Sequence, residues 1–317
     1  MLIAITFAIA CVVALIVTPI VRGIAHHYGL LDHPDERKVH ELPTPRLGGV
    51  AMAVGFGVAI AVATVASPAL SDLGGLRASH VPAILAGVGL LLLAGLVDDV
   101  RGMRAMLKLG LQVAAAVIAW LLGLRIDAIH SPAATIELGV LSLPITVVWI
   151  VGVINAINLI DGLDGLAAGV SLTVLGAFGL IAAVDRADPT LPIIAATAGA
   201  AAGFLAYNLH PASIHMGDTG AMFLGFVVAA IGISLTQDGI GQRSPWVPLV
   251  ALALPLADMV WAVIRRTAKG EPFFLPDRGH IHHQLLRAGL TQRDAMLILT
   301  AVSGGFALLA VLLGRLR

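Results

Sequence analysis

Residues 81–99 read VPAILAGVGLLLLAGLVDD, an unbroken apolar run that ends on two adjacent aspartates. A helix of roughly 20 apolar residues spans the hydrocarbon core of a bilayer, about 30 Å thick. The run is therefore read as a transmembrane helix. Acids at such a helix end are costly unless they serve a purpose, so Asp98 and Asp99 mark a place where chemistry is expected.

Outward from this segment the same pattern recurs. Ten spans are expected, near residues 1–22, 48–67, 81–99, 106–124, 140–158, 165–184, 191–208, 220–237, 246–265 and 295–314. Pro144 interrupts the fifth, whose extent is the least defined. Of the 317 residues, 58% are hydrophobic and only 12% charged, with a mean hydropathy of +0.96, which excludes an ordinary soluble domain. Only 5% are aromatic, while Gly, Ala, Leu and Val abound, as close-packed membrane helices require. Residues 1–317 are thus expected to form one polytopic, all-α integral membrane unit. The first segment has no basic residue before Arg22 and is read as a retained helix rather than a leader. Cys11 has no partner for a disulfide and reads as a small buried hydrophobe. A formal net charge of zero gives no sign of a nucleic-acid partner.

With ten crossings, the loops near 23–47, 98–107, 155–164, 209–219 and 266–294 share one side. Together with the flanking helix ends they hold about 13 of the 19 Lys and Arg, which makes that side cytoplasmic. Both termini then lie outside. Every polar cluster able to do chemistry falls on the cytoplasmic side, so one composite cleft is expected there.

Each cluster has a plainer alternative. Asp98 and Asp99 suit a metal-linked or basic role, or could form a solvated helix end paired with Arg101 or Arg104. In NAINLIDGLDGLAAG, Asn155, Asn158, Asp161 and Asp164 follow at steps of three, so their oxygens could converge on one ligand or ion. A helix cap would explain one or two of them, not four. Asp218 stands between glycines before a new helix, fit either for a metal bridged to phosphate or for an N-cap. The segment 265–294 combines Arg265, Arg266, Lys269, Arg278 and Arg287 with His280, His282 and His283. This suits a diphosphate, a histidine metal site or a basic surface against anionic lipid. Lys38, His40 and Arg46 could contact phosphate or nucleotide, or serve as positive-inside anchors. Asp258 lies within the ninth span, as a functional acid or the partner of a neighbouring base.

Taken in order, RKVHELPTPRLGG (37–49), GLVDDV (95–100), NAINLIDGLDGLAAG (155–169), HMGDTG (215–220) and PDRGHIHH (276–283) resemble the polyprenyl-phosphate N-acetylhexosamine-1-phosphate transferases. This is the MraY and WecA/TagO superfamily, glycosyltransferase family 4. The resemblance covers nearly the whole chain and implies a bundle of ten or eleven transmembrane helices in the plasma (inner) membrane, with a cytoplasmic-face active-site cleft. It implies transfer of a sugar-1-phosphate from a UDP-sugar to polyprenyl (undecaprenyl) phosphate, with UMP released and a lipid-linked sugar diphosphate formed for envelope polysaccharide. The ion implied is magnesium, with manganese as the alternative. HPDERKVHELPTPRLGG and the HIHH pattern look closer to the WecA/TagO branch, which uses UDP-N-acetylglucosamine, than to MraY, which uses UDP-MurNAc-pentapeptide and carries three contiguous histidines.

Carried over residue by residue, the resemblance makes Asp218 the principal magnesium ligand and Asn158 a second ligand or close neighbour. Asp98 is then the acid that deprotonates or orients the lipid phosphate, with Asp99 beside it. Asp161 falls near the metal and Asp164 near the uracil, while Arg278, His280, His282 and His283 hold the diphosphate and sugar. Where the family often stacks uracil on Phe, this chain has His215, which as a neutral imidazole could still stack. A covalent aspartyl-phosphate route is the alternative mechanism, and a homodimer is compatible with the family. Another UDP-N-acetylhexosamine is an alternative donor, and a secondary transporter an alternative class, although no clear internal repeat supports it.

Overall fold

The computed structural model describes residues 1–32, 43–66, 80–130, 134–184, 190–237, 244–272 and 279–315. In chain order the helices are α1 (Leu2–His27), α2 (Gly48–Ala66), α3 (Val81–Arg101), α4 (Ala105–Leu121), α5 (Ser142–Ile160) and α6 (Leu166–Ala182). They continue with α7 (Leu191–Asn208), α8 (Gly217–Gln237), α9 (Trp246–Ala251), α10 (Ala253–Ala268), α11 (Ile281–Arg287) and α12 (Gln292–Arg315). Two short antiparallel hairpins join them, β1 (Leu31–Asp32) with β2 (Thr44–Pro45), and β3 (Ala128–His130) with β4 (Thr135–Glu137).

Among the described residues, seven helices are long and apolar enough to cross a membrane: α1, α2, α3, α5 with its preceding turn, α7, α8 and α12. The helices α4 and α6 are apolar but shorter, at 17 residues each. Every expected span except the ninth is a single helix. Pro144 causes no break in α5 because it sits in the first turn, where its missing N–H has no intrahelical partner to lose. The ninth departs from expectation. Pro255 has no N–H to donate to the carbonyl of Ala251, and its ring crowds that carbonyl, so the chain breaks at Leu252 into α9 and α10.

Helix α8 is the hub. All its residues from Thr219 to Thr236 are buried, and it packs against α2, α3 and α5. Missing side chains permit this proximity. A Cβ on Gly225 would lie 2.6 Å from the Cα of Ile154 in α5, and one on Gly95 of α3 would lie 2.5 Å from the Cα of Thr219. The outward surface is different. Ile16, Ile20, Leu93, Val148, Leu308 and Leu312 are all exposed, which water would penalise and a lipid environment favours.

Gly225→Val should therefore destabilise the protein by about 1–3 kcal/mol or more through overpacking. Gly176→Ala, where a Cβ meets nothing within 4 Å, should leave the thermal unfolding of detergent-purified protein almost unchanged.

Candidate active site

The first turn of α8 is held by α3. Asp99 is 2% exposed and accepts hydrogen bonds from the backbone N–H of Asp218 (2.9 Å) and Thr219 (3.0 Å) and from the Thr219 hydroxyl (2.6 Å). A carboxylate here satisfies first-turn donors that no intrahelical carbonyl can reach, and it lies at the positive end of the helix dipole. Gly217, with φ +68°, makes the turn possible. A Cβ there would sit 2.6 Å from an Asp99 carboxylate oxygen.

Adjacent residues on a helix point about 100° apart, and Asp98 duly turns elsewhere. It pairs with Lys108 of α4 (3.0 Å), whose ammonium also contacts Oδ1 of Asp218. The same Asp218 oxygen accepts from the Asn158 side-chain amide at 2.6 Å. Lys108 thus neutralises part of a cluster in which α3, α4, α5 and α8 meet.

Beside this cluster, the loop before α8 is stitched to β2 and the start of α2. His215 N–H donates to the carbonyl of Pro45 (2.8 Å), and Gly48 and Gly49 donate back to the carbonyls of His215 (3.0 Å) and Met216 (2.9 Å). This pairing presents the His215 ring to Asp164 (3.5 Å) and Asp32 (3.6 Å), with Arg46 also 3.6 Å from Asp32. Burial works against the imidazolium of His215, but Asp164, Asp32 and the field of Asp161 outweigh it and push its pKa up to about 9. Burial likewise favours neutral Asp164, yet donors from His215, the Ala212 N–H and His210 lower it to about 2. Asp161, which caps the end of α5, is raised to about 7 by burial, with His215 opposing and Asp218, Asp99 and Asp164 reinforcing.

These groups line one cavity of about 330 Å³, which includes Asp32, Arg46, Asp99, Asn158, Asp161, Asp164, His215, Asp218 and His283. A second, largely apolar cavity of about 550 Å³ opens between α4, α5 and α10 and shares Asn158 with the first. Lys108 and the buried Arg266 both line the second cavity.

The sequence profile of glycosyl transferase family 4 matches residues 81–236, the stretch that carries Asp98 through Asp218. Over 98% of its length the chain is 35% identical to a Bacillus subtilis protein named "probable undecaprenyl-phosphate N-acetylglucosaminyl 1-phosphate transferase", covering 85% of that protein. The chain belongs to this family. It is also 34% identical to a decaprenyl-phosphate N-acetylglucosaminephosphotransferase of Mycolicibacterium smegmatis, over 92% of this chain and 77% of that one. An undecaprenyl-phosphate alpha-N-acetylglucosaminyl 1-phosphate transferase of Escherichia coli is 30% identical, over 92% and 78%.

Not every family motif residue reaches the cavity. Asn158, Asp161, Asp164 and Asp218 converge as the step of three suggested, but Asn155 does not. Its amide donates to Gln112 (2.7 Å) and to the carbonyl of Val151 (2.8 Å), and it faces the apolar cavity. Asp98 and Asp99 do not act as a pair: the cation beside Asp98 is Lys108 rather than Arg101 or Arg104, and Asp99 accepts from the first turn of α8 instead. The His215 ring lies beside Asp164 and Asp32, and its raised pKa favours an imidazolium over the neutral stacking ring that the resemblance implies. Of the histidines, His283 reaches the cavity wall. His280 and His282 are buried behind it, with a Cβ on Gly162 colliding with the His282 ring. Lys38 and Arg278 lie outside the described residues.

Sequence reasoning missed Lys108 and Asp32. A lysine one turn inside an apolar helix is itself a signal, since such a charge needs a counter-charge. Asp32 carried none, being one of many charges in a loop.

Asp218 and Asn158 supply a carboxylate and an amide oxygen, and acids outnumber bases around the cavity. Among the described residues no three His, Cys, Asp or Glu side chains form a ready-made metal cage. Magnesium is commonly held by one or two carboxylates completed by water and substrate phosphates, and this donor set fits that mode.

Replacing Lys108 by Met leaves Asp98 and Asp218 without their shared cation. Thermal stability should fall at neutral pH, and the deficit should shrink toward acid pH as a carboxylate takes up a proton. His215 has its own signature. Its folded pKa of about 9 lies above the ordinary 6.5, so its stabilisation is complete below pH 6.5 and is lost as pH rises through about 9. Melting curves from pH 6 to 10 should show that decline, and His215→Gln should flatten it.

Proposed function

We propose that this protein transfers N-acetylglucosamine-1-phosphate from UDP-N-acetylglucosamine to a polyprenyl phosphate, releasing UMP. The observation that carries the reading is the junction at Asn158 of a carboxylate-lined cavity with an apolar one lying against the bilayer-facing helices. A lipid phosphate can reach the polar cavity while its tail stays in hydrocarbon, and a hydrophilic sugar nucleotide can enter from the other side. The relatives act on undecaprenyl and decaprenyl phosphates, and their N-acetylglucosaminyl names favour the same sugar here.

Both substrates are anions, so positioning and charge neutralisation carry most of the catalysis. Asp218 and Asn158 would hold magnesium, which supplies neutralisation of the donor diphosphate. Lys108, which lines the apolar cavity, would receive the lipid phosphate, and Asp98 would orient Lys108. A lipid phosphate oxygen forms a bond to the sugar-bearing phosphorus, and the bond from that phosphorus to the bridging oxygen breaks, so that UMP leaves as the anion. A phosphate monoester has its second pKa near 6, so Asp98 serves orientation more than proton removal. His215⁺ and Arg46 offer positive charge on the nucleotide side. Asp99 acts through the backbone, by keeping the first turn of α8 and thus Asp218 in place.

The excess of basic residues on the loops that carry these groups supports a cytoplasmic-facing site in the plasma membrane. Purified protein given UDP-N-acetylglucosamine, magnesium and undecaprenyl phosphate should release UMP and yield a lipid-linked sugar diphosphate. No UMP from any UDP-N-acetylhexosamine would refute the reading, and preference for UDP-MurNAc-pentapeptide would move the chain to the other branch. Magnesium should raise the melting temperature of the wild type but not of Asp218→Asn, which should also lose turnover.

A further inference from the structure

Asp258, the single acid of α10, lies outside the cavity and is fully engaged. It is 7% exposed, and each of its oxygens has a different donor. Oδ1 accepts from the backbone N–H of Ile281 at 2.9 Å, and Oδ2 accepts from Nδ1–H of His280 at 2.7 Å. The first bond caps α11, whose own N-cap residue, His280, makes no side-chain cap. The second fixes both the plane of the His280 ring and the nitrogen that carries its proton. About two turns along α10, Arg265 packs at the same junction, where a Cβ on Gly279 would fall 2.5 Å from its Nε.

From His280 the order passes to the cavity through rings. His280 and His282 are parallel within 4°, their centroids 5.8 Å apart, and His282 meets His283 at 4.3 Å. His282 fills the space over Gly162, between Asp161 and Asp164. Its Nδ1 is buried without a hydrogen-bond partner among the described residues, and the ring is in contact with the Gly162 turn, His280 and His283. Whatever fixes His280 therefore fixes His282, and with it the position of His283 at the wall.

We propose that Asp258 is a positioning residue for the transfer reaction: through the Nδ1 proton of His280 it holds the three histidines against the loop that carries Asp161 and Asp164. The inference rests on the function proposed above. It differs from a capping role, which needs only one acceptor for the Ile281 N–H.

Asp258→Asn separates the two roles. An amide keeps one acceptor for Ile281 but turns an NH₂ toward His280, whose Nδ1 must then surrender its proton to accept. The expected result is a melting temperature near that of wild type, KM values little changed and kcat lower by about 10–100-fold, as found for partners that orient a functional histidine. His282, protected in the wild type, should react faster with diethyl pyrocarbonate, as read by peptide mass spectrometry. His280→Gln should lose a similar factor, and the double variant should be no worse than either single one. Should Asp258→Asn fail to fold, the kcat and labelling of His280→Gln decide alone. A kcat within about two-fold of wild type, losses that multiply in the double variant, or unchanged His282 labelling would each overturn the proposal. A wild type that turns over no UDP-N-acetylhexosamine would overturn the function instead, with the labelling arm still deciding whether Asp258 positions the rings.

Discussion

Asp99 commits its buried carboxylate to the first turn of α8, and the rest of the site is arranged around that bond. Because α8 is buried from Thr219 to Thr236, its first turn must either be capped or leave polar N–H groups stranded with little water. An acid from the neighbouring helix solves this at short range. Gly95 and Gly217 make room for the two helices to approach so closely. Asp218 follows immediately in the chain, so its direction is set by the same contact.

Around this anchor, charges are concentrated where an apolar bundle can least tolerate them, and pairing is what makes them tolerable. Lys108 bridges Asp98 and Asp218, while His215 sits among Asp32, Asp161 and Asp164. The cluster keeps an excess of carboxylates even so. That imbalance would favour an incoming cation, and the neighbouring Arg46 and Lys108 would suit anionic groups. The same low-dielectric setting gives neighbouring acids opposite behaviour, with Asp161 held near neutrality and Asp164 firmly ionised.

The histidine segment extends this logic outward. Asp258 sits in a helix with one side on the apolar cavity, through Met259 and Val263, and another on the His280 junction. The apolar cavity and the histidine segment therefore share α10 as a common support. The break at Leu252 separates α10 from α9, so its tilt is not bound to that of a continuous ninth span.

Much of this was legible in the chain itself. Apolar runs of bilayer length located the helices to within about five residues at each end, the broken ninth span excepted, because burial of a backbone in hydrocarbon leaves helix as the only open-chain solution. Ordered motifs ending those runs identified the family and most cavity residues. What the chain could not reveal were the partnerships. Lys108 meets Asp98 and Asp218 from a different helix, His215 meets Asp32 across a β-pairing, and Asn155 turns away from its apparent companions toward Gln112. Helical spacing reports which residues share a face, but not which face meets which neighbour. That choice depends on the close crossings allowed by Gly95, Gly217 and Gly225, and those exist only once the helices are packed.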